Sequence, residues 1–278
     1  IIYISLNFGN DVTTNGWAIP TATDIAFALG VVTLLGDRVP ISLKVTLVAI
    51  AIIDDLMAII IIATFYTSDV SIYYLLLAAV ATSVLFLLNK KQINKLSPYV
   101  ILGILLWMFV LKSGIHASLA GVLLAQFIPL NSKDSSSHSP LQNLEHSIAP
   151  WVNFSILPIF AFANAGVSFS GMKLNLLWDP VTLGIILGLF FGKQIGVMLF
   201  TYVGSLLKVC KLPSDISWAQ YYGLSLVTGI GFTMSLFIGS LAFTDPEYQT
   251  SVRLGVLIAS LLAGILGYFT LRITTKSS

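Results

Sequence analysis

Apolar runs long enough to cross a lipid bilayer follow one another along almost the whole chain. A helix needs about 20 mostly apolar residues to span roughly 30 Å of hydrocarbon. The runs are continuous rather than alternating, which excludes a membrane β-barrel. We predict nine complete spans, at about 17–35, 41–66, 71–88, 97–111, 114–130, 150–168, 181–206, 219–243 and 251–272.

Composition supports an all-α, polytopic membrane protein. Only 9% of the 278 residues are charged, against roughly 25% in soluble domains, which excludes a soluble enzyme and a disordered chain. The balance of 14 Lys and Arg against 12 Asp and Glu excludes a nucleic-acid-binding surface. A single cysteine, Cys210, excludes a disulfide framework and a Cys-based metal site.

Residues 1–8 are typical of the end of a span that precedes the first complete one. They include no initiator Met, no charged n-region and no cleavage site, so they are not predicted to form a signal peptide. We therefore expect the chain to be a fragment that lacks upstream spans.

The charges in the connections predict the orientation of the spans. Nine cations fall on one side: Arg38, Lys90, Lys91, Lys95, Lys133, Lys208, Lys211, Arg272 and Lys276. The other side has three, with four acids nearby: Lys112, Lys173 and Arg253, near Asp11, Asp69, Asp245 and Glu247. Because cytoplasmic loops carry the excess of Lys and Arg, the C-terminus is predicted to be cytoplasmic.

The longest polar connection, residues 131–149, lies on that cytoplasmic side. A solvated linker is one interpretation, above all for Ser135–Ser137. Glu145 and His146, just before Pro150, could instead form a regulatory pair.

Four ionisable residues lie deep within predicted spans: Asp24, Asp54, Asp55 and Lys193. Each costs roughly 2.5–3.5 kcal/mol at the centre of a membrane helix. Such groups therefore face a cavity or one another, and they mark ion or proton paths by default. For Asp24 and Lys193, a purely structural ion pair is an equally good interpretation.

Asp54 and Asp55 are harder to explain as structural residues. Adjacent residues on a helix point about 100° apart, so one inert partner cannot easily satisfy both carboxylates. Burial and mutual repulsion favour a proton on at least one of them. A cation such as Na⁺ would compete with protons for the same oxygens, which is the minimal chemistry of an antiporter.

Two spans are predicted to be broken at mid-membrane. Pro20, Thr21 and Thr23 can interrupt the span that holds Asp24. Gly229 and Gly231, in TGIGFTMS, can interrupt the penultimate span. Two interrupted spans in corresponding halves of the chain indicate the binding site of an inverted-repeat transporter. His116, after a short break between two other spans, is either a satisfied polar contact or a pH sensor.

These segments resemble the NhaA family of bacterial sodium/proton antiporters. The resemblance runs through nearly the whole chain, in GWAIPTATDIAFALG, AIIDDLMAIIIIATFY, LKSGIHASLAG, LEHSIAPW, LPIFAFANAGV, FFGKQIG and GIGFTMSLFIGSLAF. It implies a twelve-helix fold with inverted repeats and two unwound helices that cross at mid-membrane. Residues 1–278 would form one transmembrane domain, with 17–66 and 181–272 as transport core, 71–111 as linking spans and 114–168 as interface and dimerisation spans.

The resemblance also implies roles for individual residues. Asp54 and Asp55 would bind Na⁺ (or Li⁺) and protons, with Asp55 as the principal ligand. The supporting residues would lie at the crossing or neutralise charges there: Thr23, Asp24, Lys193, Gly229 and Gly231. Lys193 would neutralise helix ends or pair with an aspartate of the site. The candidate pH sensors would be Glu145, His146 and His116.

Activity and surroundings follow from the same resemblance. It implies an electrogenic, pH-regulated exchanger of the bacterial inner membrane that works by alternating access and supports sodium and pH homeostasis. The protein would need no cofactor, would contact membrane lipid but no nucleic acid, and would be a homodimer at full length. Ala149 and Met57 depart from the family pattern, which predicts a weaker or shifted sensor and a narrower cavity.

Two other classes of function compete with the antiporter. An intramembrane aspartyl protease could pair Asp24 with Asp54 or Asp55 as an acid/base dyad. The Tyr-Asp and Gly-x-Gly-Asp contexts of such enzymes are missing, because Thr23 precedes Asp24 and Ile53 precedes Asp54. A passive cation channel lined by Asp residues is the third hypothesis.

Overall fold

The structure, a computed structural model, describes residues 1–67, 70–130, 139–166 and 174–275. In that part of the chain all regular elements are helical. The α-helices are α1 (Ile2–Leu6), α2 (Asp11–Thr14), α3 (Ile25–Thr33), α4 (Ile41–Phe65), α5 (Ile72–Lys90), α6 (Ser97–Lys112), α7 (Ser118–Phe127), α8 (Pro140–Trp151), α9 (Leu157–Asn164), α10 (Pro180–Leu187), α11 (Lys193–Leu206), α12 (Trp218–Val227), α13 (Phe232–Ala242) and α14 (Pro246–Thr274).

The chain divides into two compact units. Ile1–Ala58 and Ile159–Ser278 form the first unit, and Ile59–Pro158 forms the second. In the first, α14 packs against α10 and α12, and one buried cluster includes Leu43 of α4, Leu224 of α12 and Leu271 of α14. In the second, α5, α6 and α7 pack together over Leu85 and Leu106. The predicted division into core, linking and interface spans stays a prediction.

Two spans are broken in the first unit. From α2 the chain continues as a 3₁₀-helix, Asn15–Thr21, and then meets α3 at 41°. Pro20 lies inside the 3₁₀-helix, and Ala22 and Asp24 are extended, so the helical hydrogen bonds stop there. The second pair, α12 and α13, is bent by 44°. The predicted all-α membrane bundle with two broken helices is therefore confirmed.

Each of the nine predicted spans overlaps a helix or a bent pair. Among the described residues, five continuous helices are long and apolar enough to cross a membrane: Ile41–Phe65, Ile72–Lys90, Pro140–Asn164, Pro180–Leu206 and Pro246–Thr274. The number of possible spans rises to seven if each bent pair is counted as one span. The remaining two predicted spans correspond to shorter apolar helices, α6 and α7. That all nine cross the bilayer remains a prediction.

The linker interpretation of residues 131–149 is wrong for residues 140–149, which are part of a helix. Ser139 caps α8 by accepting the Gln142 N–H, with Pro140 in the first turn, so the helix begins ten residues before the predicted span. Pro150 lies inside α8, and a π-helical turn, Val152–Ile156, follows it. Proline has no backbone N–H to complete a helical hydrogen bond, which is consistent with an irregular turn beside Pro150.

Some residues named in the sequence analysis lie outside the described residues: Ser135–Ser137, Asp69, Lys133, Lys173 and Lys276.

Candidate functional site

The two breaks touch each other in the first unit. The Asp24 N–H donates to the Ile230 carbonyl at 2.6 Å. The Thr23 hydroxyl lies 3.0 Å from the Thr228 carbonyl. Each break thus satisfies backbone groups that the other leaves without helical partners, as the buried interior of a membrane protein requires.

Glycine is needed where the second break meets its neighbours. A Cβ atom on Gly229 would lie 2.8 Å from the Leu189 carbonyl oxygen, and one on Gly231 would lie 2.2 Å from the Ser235 Oγ atom. Real Cβ contacts essentially never come so close. The two glycines therefore permit the close packing of the break, which is a structural role beside the predicted supporting one.

Asp24 lies at the starts of two helices at once. Its Oδ1 atom accepts the Phe27 N–H at 3.1 Å and so caps α3. Its Oδ2 atom accepts both the backbone N–H (2.9 Å) and the hydroxyl (2.5 Å) of Thr233, in the first turn of α13. Helix N-termini carry partial positive charge. The 2%-exposed carboxylate is therefore compensated by the two broken helices themselves.

Lys193 forms its ion pair with Asp54. It is the first residue of α11, after the π-helical turn Gly188–Gly192, and it contacts the Asp54 Oδ2 atom directly. The same ammonium lies 3.0 Å from the Thr23 Oγ1 atom, which is 2.7 Å from Asp54 Oδ2. Ammonium, hydroxyl and carboxylate thus form one cluster beside the crossing.

This pairing corrects one interpretation of the sequence. We considered a structural ion pair between Asp24 and Lys193, but the Lys193 ammonium contacts Asp54, and Asp24 is satisfied by Phe27 and Thr233. Both oxygens of Asp24 already accept hydrogen bonds, so the geometry does not favour Asp24 as half of a protease dyad.

Asp55 differs from its neighbour. It is half-buried on α4, and its Oδ1 atom is buried without a hydrogen-bond partner among the described residues. A buried carboxylate oxygen of this kind is unfavourable unless a proton or a cation satisfies it. Na⁺, a hard cation, binds oxygen atoms, and carboxylates are suitable ligands for such ions. Asp54 and Asp55 could therefore hold a proton or a cation.

The candidate sensors lie in the second unit. The His116 Nδ1 atom is 2.8 Å from the Ser118 Oγ atom, at the start of α7. Glu145 and His146 are exposed side chains of α8. The structure brings Thr23, Asp24, Asp54 and Lys193 together, and their predicted transport roles, like the sensing roles, stay predictions.

Sequence reasoning missed two polar contacts within the spans. The Ser260 hydroxyl accepts the Phe232 N–H at 3.2 Å, which satisfies a backbone group that the second break leaves free. Gln194, next to Lys193, accepts the Tyr222 hydroxyl at 2.9 Å. Both residues are uncharged, so the scarcity of charge did not indicate them; small or uncharged polar side chains in apolar runs are the signal for such contacts.

Comparison with known proteins agrees with this architecture. The family described as Na⁺/H⁺ antiporter 1 matches residues 1–271. The Na⁺/H⁺ antiporter NhaA of Shewanella sp. (strain W3-18-1) is 56% identical over 272 residues, which are 97% of this chain and 69% of that protein. The NhaA proteins of Caulobacter vibrioides and Rhodospirillum rubrum are 53% and 54% identical, over 99% and 100% of this chain and 68% and 71% of their own lengths. The chain therefore belongs to the NhaA-type family of Na⁺/H⁺ antiporters, a family of membrane transporters that exchange sodium ions for protons.

Proposed function

We propose that Asp54 and Asp55 are the site at which this protein exchanges Na⁺ (or Li⁺) for protons. The observation that carries the proposal is the Asp55 Oδ1 atom, a buried carboxylate oxygen without a hydrogen-bond partner in the described part of the chain, beside the ion-paired Asp54. Asp24 is compensated by two helix N-termini, so Asp55 is the carboxylate whose charge is left to be neutralised.

Competition for the same oxygens couples the two ions. A cation that binds between the carboxylates adds positive charge beside the Lys193 ammonium, because that ammonium contacts Asp54. A cation bound next to Asp54 and the Lys193 ammonium repel each other because both are positively charged. The cation also disfavours a proton on Asp55. Binding of the cation thus expels protons, and protonation of the site expels the cation.

We propose that transport follows an alternating-access cycle. The site releases protons on the cytoplasmic side, binds a cation, and exchanges it for protons on the outer side. The two broken helices support this mechanism because interrupted helices that meet at their breaks are typical of transporter sites. If both carboxylates cycle, two protons move per cation and the exchange is electrogenic.

The remaining parts of the proposal concern setting and control. We place the protein in the bacterial inner membrane with a cytoplasmic C-terminus, where it supports sodium and pH homeostasis. His116, Glu145 and His146 are the proposed pH-sensing residues, since all three have ionisable side chains. Homodimer formation and the absence of a cofactor are also proposed.

The test is cation-driven collapse of a preset pH gradient in vesicles that hold protein expressed from the complete coding sequence. We expect Asp55→Asn to reduce the exchange to the level of protein-free vesicles, because an amide cannot release a proton or supply a second anionic oxygen. Asp54→Asn should also abolish exchange. The matched control is Asp37→Asn, which alters an exposed carboxylate after α3 and should leave the exchange unchanged.

Two outcomes would contradict the proposal. Full exchange in Asp55→Asn would remove this carboxylate from the site. A steady current carried by Na⁺ alone, without movement of protons, would favour the channel hypothesis over the antiporter.

A further inference from the structure

An open apolar groove of about 460 Å³ runs along the first unit, between α3 and α14. The wall on the α3 side consists of Phe27, Val31 and the C-cap residue Leu34, which are spaced by four and three residues and so share one helix face. The wall from α14 is a stripe with the same spacing, represented by Leu261 and Ile265. The groove therefore runs lengthwise between α3 and α14.

The floor of the groove belongs to the second break. Ile230 and Phe232 line it, and the Ile230 carbonyl is the group that accepts the Asp24 N–H. The Phe232 ring packs edge-on against Phe27, with 4.7 Å between ring centroids. Whatever fills the groove therefore touches the crossing of the two broken helices.

The medium around α14 determines what can fill this space. The helix is long and apolar enough to cross a membrane, so the groove beside it lies at hydrocarbon depth. Water is a poor occupant of a cavity with an apolar lining. An empty groove would deprive its walls of dispersion contacts. A hydrocarbon chain satisfies both conditions.

An arginine follows the last lining residues of each wall, and we call this pair, Arg38 and Arg272, the rim. Arg272 lies one helical turn beyond Tyr268, a lining residue, on the same face of α14. Arg38 ends the short 3₁₀-helix Gly36–Arg38, four residues beyond Leu34. Within the described residues, neither arginine forms an ion pair with an acidic side chain. Arginine is well suited to bind a phosphate group.

We propose that a phospholipid with an anionic headgroup occupies this groove, with one acyl chain between α3 and α14 and its phosphate at Arg38 and Arg272. The acyl chain lies against Ile230 and Phe232, so the lipid contacts the crossing from the side that the described helices leave open. The binding of lipid does not depend on whether Asp54 and Asp55 bind ions, and the two proposals can fail separately.

The experiment uses photolabelling in vesicles of phosphatidylethanolamine and phosphatidylglycerol, with protein from the complete coding sequence. The probe is phosphatidylglycerol with a photoreactive diazirine on one acyl chain, compared with phosphatidylcholine that carries the same chain. We expect labelled peptides from the groove faces of α3 and α14, with several-fold more label from phosphatidylglycerol because only it carries net negative charge.

Filling the groove should remove the label. A Cβ atom on Gly264 would lie 3.6 Å from Ile230 Cδ1 and 3.8 Å from Val31 Cγ2, so Gly264→Leu places a side chain in the groove without a clash at Cβ. The matched control is Gly121→Leu on α7, where nothing lies within 4 Å of the added Cβ. Labelling should fall several-fold in the first variant and stay unchanged in the second.

The rim is tested by removing its charge. Combined Arg38→Gln and Arg272→Gln should make the labelling by the two lipids equal, and this surface variant keeps the test valid if Gly264→Leu fails to fold. Lys95→Gln, which removes another cation of the same predicted membrane side, should retain the preference.

Two results would overturn the proposal. Equal labelling of the groove by both lipids in the unaltered protein would indicate unselective boundary lipid. Label elsewhere on the surface but none on the groove faces would indicate that another protein segment covers the groove.

Discussion

Asp24 shows how a single carboxylate can be buried without a cationic partner. Three donors from two helix starts, two backbone N–H groups and one hydroxyl, surround its oxygens. Hydrogen bonds to a charged group contribute about 1.5–3 kcal/mol each. The residue therefore joins α3 to α13, and its removal would affect both broken helices.

The hydroxyl of Thr233 allows this arrangement to be tested. Thr233→Val keeps the shape of the side chain but removes one donor to Asp24, so we expect a loss of about 1.5–3 kcal/mol in the free energy of unfolding. Thr233→Ser, which keeps the hydroxyl, should lose much less. Denaturant unfolding of the purified protein in detergent measures both. Equal stability of the valine and serine variants would contradict the assigned role of the hydroxyl.

The sequence predicted which charged residues lie near the crossing better than it predicted the partners of each. Scarcity of charge was enough to select Asp24, Asp54, Asp55 and Lys193. The resemblance implied that Lys193 neutralises helix ends or pairs with an aspartate of the site, and Lys193 contacts Asp54. The partners of Asp24 were not predictable, because they include backbone groups of Phe27 and Thr233, and Thr233 is 209 residues away in the chain. Nearly every residue has a backbone N–H, so the sequence does not indicate which of them bonds to a buried carboxylate, whereas a charged residue in an apolar run is visible in the sequence.

At the scale of elements, hydropathy located the helices but not all of their ends. Apolar runs predicted the span at 150–168, yet the helix starts at Pro140. Hydropathy missed this start because the first turns of the helix are amphipathic rather than apolar. Leu141 and Leu144 pack against the buried cluster of the second unit, while Glu145 and His146 are exposed. Spacing of apolar residues by three, rather than mean hydropathy, is the signal for this part of α8.

The cap of α8 gives a prediction for this element. Ser139→Ala removes the oxygen that accepts the Gln142 N–H, 3.0 Å away, and should destabilise the start of α8 by about 1 kcal/mol. Amide hydrogen exchange over residues 141–144 should become about five-fold faster. The control is Ser147→Ala in the same helix, whose hydroxyl only bonds to the Asn143 carbonyl. Unchanged exchange in the first variant would show that the start of α8 is held by other contacts.

At the scale of the whole molecule, one order of elements occurs twice. A bent pair precedes one long helix in α2, α3 and α4, and again in α12, α13 and α14. Family membership and the fold class could be predicted because motifs and apolar runs are local. The contact between the two breaks could not be derived from local pattern, since it joins residues about 205 positions apart.

Transport by the whole molecule should respond to voltage if two protons move per cation. Each cycle then carries one net charge, and a potential of 100 mV contributes about 2.3 kcal/mol per charge. A potential set with valinomycin and a K⁺ gradient, negative on the side that receives protons, should accelerate exchange. The opposite potential should slow it. Rates that are equal under both potentials would indicate electroneutral exchange and would contradict the proposed stoichiometry.

The position of Thr23 has a consequence for how charge at the site reaches the backbone. Its hydroxyl has a single hydrogen but two acceptors within reach, the Asp54 carboxylate at 2.7 Å and the Thr228 carbonyl at 3.0 Å. The hydrogen can serve only one of them well at a time. While Asp54 is anionic, its oxygen is the stronger acceptor; once a proton or a cation neutralises it, the balance moves toward the carbonyl. One rotating O–H bond thus converts the charge of Asp54 into a hydrogen bond gained or lost at the bend of the opposite helix.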